Sequence, residues 1–308
     1  MALLSRVADR IYWAARYLER AEDSARVLAA YGDVFADHPS AAMRWSPLVS
    51  ICGSNVVLPA VSGSDEQQVA QFLIADRDQP NSIINAVEAA RENLRTCREV
   101  FPREAWQTIN DLCIYVRGAA ATSVERRRRA RFLSRVIDES RRLDGVLQST
   151  MTRDEAFEMW RLGRYLERGD MTTRVLGVRA AMLLSLPPGA PDQFAEVQWM
   201  SVLRSLSALQ MYQRATRGPI TGPAVVRFLL FDHRFPRSVA GCLAEVRVSV
   251  LRLPDYAVVL GAVEAADRQL RRSRPAADDG AALDGAMEAV HIALAQLNAV
   301  MYEHYVVH

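Results

Sequence analysis

The sequence contains no lysine: each of its 38 basic residues is an arginine. This absence excludes Schiff-base chemistry on a lysine amine, a lysine general base, and the phosphate-binding loop that requires Gly-Lys-Ser/Thr. The Gly-x-Ser-x-Gly signature and a cysteine–histidine nucleophile pattern are absent as well. The sequence therefore lacks the usual signals for nucleotide binding and for acyl transfer by a serine or cysteine.

Cysteine is scarce, and its spacing gives no sign of a disulfide framework. Cys52, Cys97, Cys113 and Cys242 form no Cys-x-x-Cys pair, which predicts free thiols in a reducing compartment.

The amino terminus lacks the layout of a signal peptide, and no stretch approaches the ~20 apolar residues of a membrane span. The formal charge is only +2, so no overall field draws the chain to nucleic acid or membrane. We expect a cytoplasmic protein without a membrane partner.

Strand-like alternation is almost absent, whereas the helical spacing of apolar residues continues along most of the chain. In the first helix, expected from about Ser5 to Phe35, this spacing is kept by Tyr12, Ala15, Leu18, Ala21, Ala25 and Leu28. Similar stretches predict further helices in both halves of the chain. The sequence therefore predicts an all-α protein.

Proline and serine mark several expected helix boundaries. Pro80 suits the first turn of one helix and Pro102 that of the next, while Ser123 is expected to cap the helix that follows. In the second half, the segment PPGAPD at residues 187–192 is expected to end a long helix.

Two charged segments are nearly the same. RYLERAEDSARVL begins at Arg16, RYLERGDMTTRVL begins at Arg164, and eight of their thirteen positions are identical. Further along, six residues recur in order 156 positions later, namely Phe72, Leu73, Asp76, Pro80, Ser82 and Arg91. These matches predict a duplicated helical bundle, with about six helices in each of residues 1–150 and 151–308, packed about a pseudo-two-fold axis as one compact unit.

The charged positions shared by both copies include Arg16, Glu19, Arg20, Arg164, Glu167 and Arg168. Exposed charge pairs contribute only ~0 to 1 kcal/mol each, so an exposed helix face could be built from many arrangements. Identical charges in both copies indicate burial or a site. If the two helices face each other, Glu19 can pair with arginines of the second copy and Glu167 with arginines of the first.

A second interpretation places the same residues around a cavity. Glu19 and Glu22 are three residues apart, as are Glu167 and Asp170, so each helix could present two carboxylates to a divalent cation or a substrate amine. Glu19 and Glu167 are then the candidate catalytic residues, and the arginines would bind carboxylate or phosphate. A third interpretation is an ordinary exposed helix face.

Three other features carry weaker signals. Glu288 and His291 have the Glu-x-x-His spacing of di-metal bundles, but no second pair accompanies them. The basic cluster at residues 126–131 winds around its helix without interleaved aromatic residues, which argues against nucleic-acid binding. The polar corner from Asp76 to Ser82, with its repeat, suits either anion binding or tight turning between helices.

Five segments in order resemble the bacterial alpha-E family. They are LLSRVADRIYWAARYLERAEDSARVL, FLIADRDQPNSIINAVEAARENLRTCRE, EAWQTIN, MWRLGRYLERGDMTTRVL and FLLFDHRFPRSV. The resemblance extends over nearly the whole chain and implies an all-helical domain. The family's signature positions fall on Arg16, Glu19, Arg20, Arg164, Glu167 and Arg168. It also implies neighbouring genes for a circularly permuted ATP-grasp ligase and often a transglutaminase-like peptidase, and hence peptide or amide-bond synthesis.

Two functions therefore follow as hypotheses. The first is a non-catalytic partner or substrate-presenting module of an ATP-grasp-type amide ligase, with the ligase and possibly the transglutaminase-like protein as partners. The second is a carboxylate-dependent enzyme, a hydrolase or an amide-forming transferase, that uses Glu19 and Glu167 as acid and base or as metal ligands. No motif in the sequence predicts a cofactor.

Overall fold

A computed structural model of the chain describes residues 3–37, 45–52, 65–184, 195–276 and 279–307. Within these ranges the fold is all-helical, as the sequence predicts. The described α-helices, in chain order, are α1 (Ser5–Asp37), α2 (Pro47–Ile51), α3 (Asp65–Ile74), α4 (Ile83–Thr96), α5 (Arg103–Ala119), α6 (Arg126–Thr150), α7 (Glu155–Leu184), α8 (Ala195–Ser205), α9 (Leu209–Thr216), α10 (Gly222–Phe231), α11 (Val239–Val250), α12 (Ala257–Arg272) and α13 (Gly280–Tyr302).

The two longest helices, α1 and α7, pack against each other and are surrounded by the others. Helix α1 also contacts α4, α6 and α8, while α7 also contacts α2, α11 and α13. Between residues 18 and 28 of α1, every side chain except Arg20 is buried. Since charged residues are rarely buried without partners, the glutamates and arginines in this stretch must pair inside the protein.

The outer helices form a layer on each central helix. Helix α5 joins α4 to α6 on the side of α1, and α12 joins α11 to α13 on the side of α7. Their apolar faces extend one continuous core from the central pair. No helix in the described ranges combines the length and the apolar character needed to cross a membrane.

Several helix boundaries differ from those expected. Pro80 lies in a turn before α4, and Ser82 caps the helix by accepting a hydrogen bond from the amide of Asn85. The expected cap at Ser123 is wrong, because its hydroxyl donates to the carbonyl of Ala119 and lies in a short 3-10 turn. Glu125 occupies the cap position of α6 instead. The segment PPGAPD lies outside the described residues, and α9 was not expected.

The central helices cross closely because small residues lie between them. A Cβ atom on Gly163 of α7 would collide with the main-chain carbonyl oxygen of Tyr12 on α1 and would lie 3.1 Å from the Cβ of Ala15. Main-chain atoms cannot move aside as the end of a flexible side chain can. The hydrogen atom on Gly163 therefore sets how near the charged residues of α1 and α7 approach each other.

We expect Gly163→Ala to lower the free energy of unfolding by ~1 to 3 kcal/mol, because the added methyl group must push α1 and α7 apart. Urea denaturation followed by circular dichroism would measure the change.

The matched control is Gly145→Ala in α6, where a Cβ would meet nothing within 4 Å. Alanine is the better helix former, so this variant should be as stable as the parent or up to ~1 kcal/mol more stable. Equal stabilities for the two variants would contradict the close crossing.

Candidate functional site

The carboxylate of Glu19 lies at the centre of a buried ion-pair network between the two long helices. Its Oε2 accepts from Nε of Arg164 at 2.9 Å, and its Oε1 accepts from Nε of Arg168 at 2.6 Å. A third arginine, Arg237 from the turn before α11, lies 2.8 Å from Oε1. Only 2% of Glu19 is exposed. Its two oxygens thus face three guanidinium groups.

Glu167 makes the reciprocal contacts from α7 to α1. Its Oε2 accepts from Nε of Arg16 and its Oε1 from Nε of Arg20, each at 2.6 Å. Arg20 adds a bond from its NH2 to Oε2 at 3.1 Å, so that this pair is bidentate. The structure therefore brings together the two helices in the arrangement expected if they face each other.

The terminal nitrogens of the same arginines bind further groups. Arg16 donates to the hydroxyl of Tyr12 at 3.1 Å and to the side-chain oxygen of Asn298 on α13 at 3.0 Å. Arg20 donates to Asn81 at 2.8 Å, and Arg164 pairs with Asp144 of α6. The network thus connects the central pair with helices on both sides.

A second group of charges continues the network along α1. Arg237 pairs with Asp23 at 2.5 Å and with Glu22 at 3.4 Å. Glu22 also pairs with Arg26, its neighbour one helical turn along. The other oxygen of Asp23, Oδ2, has no hydrogen-bond partner among the described residues. Arg237 therefore joins Glu19 to this second group.

The arginines decide the ionisation of the two central glutamates. Burial by itself raises the pKa of a carboxyl group, but Arg168, Arg237 and Arg164 outweigh it and hold the pKa of Glu19 far below its ordinary value. Burial likewise opposes Arg16 and Arg20 at Glu167, whose pKa is also lowered. Both glutamates are consequently ionised at neutral pH.

Asp23 is affected in the opposite direction. Burial is the largest effect and raises the pKa of Asp23, and the negative charge of Glu19 raises it further. Arg237 acts in the opposite direction, but the pKa of Asp23 still reaches about 7. Burial and the neighbouring Arg168 lower the pKa of Arg164 to about 10. Asp23 is therefore an acidic group of the network whose charge changes near neutral pH.

Asp170 forms a separate contact between α7 and α13. Its Oδ1 lies 2.7 Å from Nδ1 of His291, and its Oδ2 lies 2.9 Å from Arg174. Burial raises the pKa of Asp170, but His291 and Arg174 outweigh it and lower the value to about 2. The close contact with Asp170 in turn raises the pKa of His291. Asp170 thus lies on the predicted helix but binds its own partners, not Glu19 or Glu167.

The weaker sequence features also have defined places. Glu288 shares α13 with His291, but the histidine pairs with Asp170. Among the described residues, no three His, Cys, Asp or Glu side chains lie together as a metal-binding group. The cysteines are free and buried.

The two polar corners hold helix caps and network residues. Ser82 caps α4, and Ser238 caps α11 by accepting from the amide of Gly241. The residue before each serine, Asn81 or Arg237, points into the network and contacts Arg20 or Glu19 respectively. The corners therefore connect the outer helices to the central charges.

Arg237 is the main residue that sequence reasoning missed. It lies outside the repeated helix, and the matching position in the first half is Asn81, so the repeat showed no shared charge there. A signal was nonetheless present, because both residues are polar and stand between a proline and a serine. Comparing the two corners for polarity, and not only for identity, would have identified the position.

Comparisons with known proteins place the chain among helical proteins. Residues 3–306 match the Alpha-E family, described as a predicted alpha-helical domain with a conserved ER motif. Uncharacterized proteins from Mycobacterium bovis and Mycobacterium tuberculosis are each 25% identical to the chain over 307 residues. The match covers 91% of this chain but 34% of each relative, so the chain spans about a third of their length. No solved structure matches it.

We expect Glu19→Gln and Glu167→Gln each to lower the free energy of unfolding by ~3 to 5 kcal/mol, because the loss of a buried carboxylate leaves guanidinium groups uncompensated. The larger loss should follow Glu19→Gln, since Glu19 faces three arginines and Glu167 faces two. Chemical denaturation would measure both values.

The control for these variants is Glu92→Gln, which removes an exposed carboxylate that pairs with Arg95 one turn along α4. Its melting temperature should stay close to that of the parent, because exposed pairs contribute little. Melting temperatures of all three variants within about a degree or two of the parent would show that the buried carboxylates belong to an open site and not to a structural network.

We also expect the contact between His291 and Asp170 to make stability depend on pH. The pKa of His291 is raised above 6.5 in the folded chain. The contact with Asp170 therefore contributes its full stabilisation below the histidine pKa of the unfolded chain, about 6.5. This stabilisation is lost as the pH rises through the histidine pKa of the folded chain. Asp170 remains ionised across this range. The difference in unfolding free energy between the parent and His291→Gln should decline from about pH 6 upwards. A difference in unfolding free energy that stays constant or grows as the pH rises would contradict this prediction.

Proposed function

The chain belongs to the Alpha-E family, and from this membership we propose that it is a non-catalytic partner or substrate-presenting module of an ATP-grasp-type amide or peptide ligase system in the cytoplasm. The proposed partners are the ligase and a transglutaminase-like protein. In this role the helical body binds and positions, while the ligase supplies ATP and the bond-forming chemistry.

The pairing of Glu19 and Glu167 with arginines is the observation that supports a non-catalytic role. A general base needs a lone pair directed at the proton that it removes, and a metal ligand needs one directed at the ion. Here the oxygens of both carboxylates are directed at guanidinium nitrogens 2.6 to 2.9 Å away. Residues held in this way stabilise a scaffold and are poorly placed to react.

The length of the mycobacterial relatives also supports a module. In those proteins the matched region makes up 34% of the sequence and is joined to further polypeptide. A helical unit that occurs within longer proteins is suited to work beside other domains. The activity of the relatives themselves is not assigned by their names.

We further infer that residues 1–150 and 151–308 are copies of one unit related by a pseudo-two-fold axis. The reciprocal pairs of Glu19 and Glu167 support this, because each helix offers the other the same groups. So does the order of packing, since α4, α5 and α6 follow one another around α1 as α11, α12 and α13 do around α7. Helix α9 would then be an addition to the second copy.

A direct experiment distinguishes the module from the alternative, an enzyme that uses Glu19 and Glu167. Such an enzyme would bind Mg²⁺, Mn²⁺ or Zn²⁺, or a substrate amine, at these carboxylates. Thermal unfolding of the pure protein with each cation, together with elemental analysis, would reveal stabilisation by a bound metal. Stabilisation that disappears in Glu19→Asp or Glu167→Asp would favour the enzyme over the module.

We expect the pure chain to hydrolyse no ATP and to form a complex with an ATP-grasp ligase of the kind that the family resemblance implies. Static light scattering after size-exclusion chromatography would detect the complex, and phosphate release would measure the ligase rate with and without the chain. The chain should change that rate, because a presenting module alters how the ligase meets its substrate.

The control for the ligase rate is an unrelated helical protein of similar mass at the same concentration. ATP turnover by the chain alone, or a ligase that neither binds the chain nor responds to it, would contradict the proposal.

A further inference from the structure

A large open cleft lies between α1, α6 and the corner that joins α8 to α9. Its volume is about 830 Å³, within the range of about 300 to 1,000 Å³ that is usual for ligand sites. Apolar side chains on the three sides include Ala29, Ile137 and Leu209. None of the residues that line the cleft pairs with Glu19 or Glu167, although Arg26 pairs with Glu22 of the adjoining charged group. The cleft therefore adjoins the network but does not contain the central pairs.

The cleft has a surplus of positive charge. Five arginines line it, against the three carboxylates of Asp33, Glu66 and Asp138. The arginines are Arg26, Arg126, Arg129, Arg141 and Arg204. An anionic ligand would be attracted to a partly enclosed cleft of this kind more strongly than to an open surface.

Two of these arginines make no hydrogen bond to a carboxylate among the described residues. Arg126 lies 3.8 Å from Glu66, which is already bonded to Arg129 at 2.7 Å. Arg141 lies 3.8 Å from Glu22, which is already paired with Arg26, and 3.9 Å from Asp138. Distances of 3.8 to 3.9 Å are too long for hydrogen bonds.

Both side chains also reach solvent. Arg126 is 63% exposed and Arg141 is 52% exposed. Their donors are therefore open to a ligand, whereas those of Arg26 and Arg129 are largely engaged.

The spacing of the two open arginines indicates the size of the ligand. They are fifteen residues apart on the same helix, which corresponds to ~22 Å at a rise of 1.5 Å per residue. A single phosphate or carboxylate cannot reach both. An extended peptide rises ~3.3 Å per residue, so that about seven residues span the distance.

The remaining chemistry favours a peptide over a nucleic acid. None of the residues that line the cleft is aromatic, whereas single-stranded nucleic acids are usually held by bases stacked on aromatic rings. The three carboxylates would repel a backbone that is charged at every phosphate, whereas a peptide carries negative charge only at its acidic side chains and can donate its backbone amides to these carboxylates. The apolar residues that line the cleft between Arg126 and Arg141 suit a peptide whose apolar side chains lie between its acidic side chains.

We propose that this cleft binds an extended acidic peptide segment, with carboxylates at Arg126 and Arg141 and apolar side chains between them. The inference deepens the proposed function by naming the class of ligand, and it rests on that function for its role in a ligase system. Binding itself is a property of the chain alone. The experiment therefore uses the chain without the ligase, so that failure of the cleft is distinguishable from failure of the partnership.

The test measures fluorescence polarisation of a labelled heptapeptide with alternating glutamate and apolar residues, titrated with the pure chain. Replacing Arg126 and Arg141 together by glutamine should weaken binding by roughly tenfold or more, since two charge-assisted contacts are lost. Both side chains are more than half exposed, so the variant should fold, and its melting temperature would verify this.

The matched control replaces Arg127 and Arg131 by glutamine. Both are exposed on the same helix and neither lines the cleft, so the loss of charge is equal but binding should change by no more than about twofold. A peptide with glutamine in place of glutamate should bind much more weakly than the acidic one.

Four results would overturn the proposal. They are no binding of the acidic peptide, equal weakening by the two double variants, undiminished binding of the glutamine peptide, and tighter binding of a single-stranded oligothymidylate than of the peptide.

Discussion

Two carboxylates buried between two helices determine much of this structure. Glu19 and Glu167 cannot be removed from water unless arginines of the opposite helix arrive with them. That requirement fixes the rotation of α1 and α7 about their axes and their shift along each other, because a displacement of one residue would turn the charges away from their partners. Hydrophobic packing alone would tolerate several such arrangements. The ion pairs select one.

Arginine suits this task in a way that lysine does not. All four arginines that pair across the helix pair bind through Nε, the nitrogen on the side of the guanidinium group, and Arg20 adds a second bond through NH2. The terminal nitrogens remain free to bind Tyr12, Asn298, Asn81 and Asp144. A lysine has one nitrogen at the end of its chain and could not bind on two sides in a fixed plane. The arginine bias of the composition therefore has a structural use here.

The sequence predicts the fold class and the partners of the two glutamates. Helical spacing predicts the helices because an apolar face must be buried, and shared charges predict burial because exposed charges vary freely. Arg237 was not predicted, since it reaches Glu19 from a turn far along the chain and its matching position holds asparagine.

The cleft was not predicted either. The basic cluster winds around α6, and only the placement of α1 and the α8–α9 corner beside that helix decides that Arg126 and Arg129 face a cavity while Arg127 and Arg131 do not. Features that depend on one helix could be read from the sequence, whereas those that depend on how three helices meet could not.

The reciprocal pairs also bear on how the chain is made. Every arginine that pairs with Glu19 lies at residue 164 or beyond, and the last of them is Arg237. While the ribosome is still adding the second half, Glu19 lacks the three guanidinium groups with which it pairs in the folded chain, and burying it without them would leave an uncompensated charge in the core. Helix α1 must then stay hydrated until most of the chain has emerged. Neither half reaches its final state alone, and folding is postponed until the two meet.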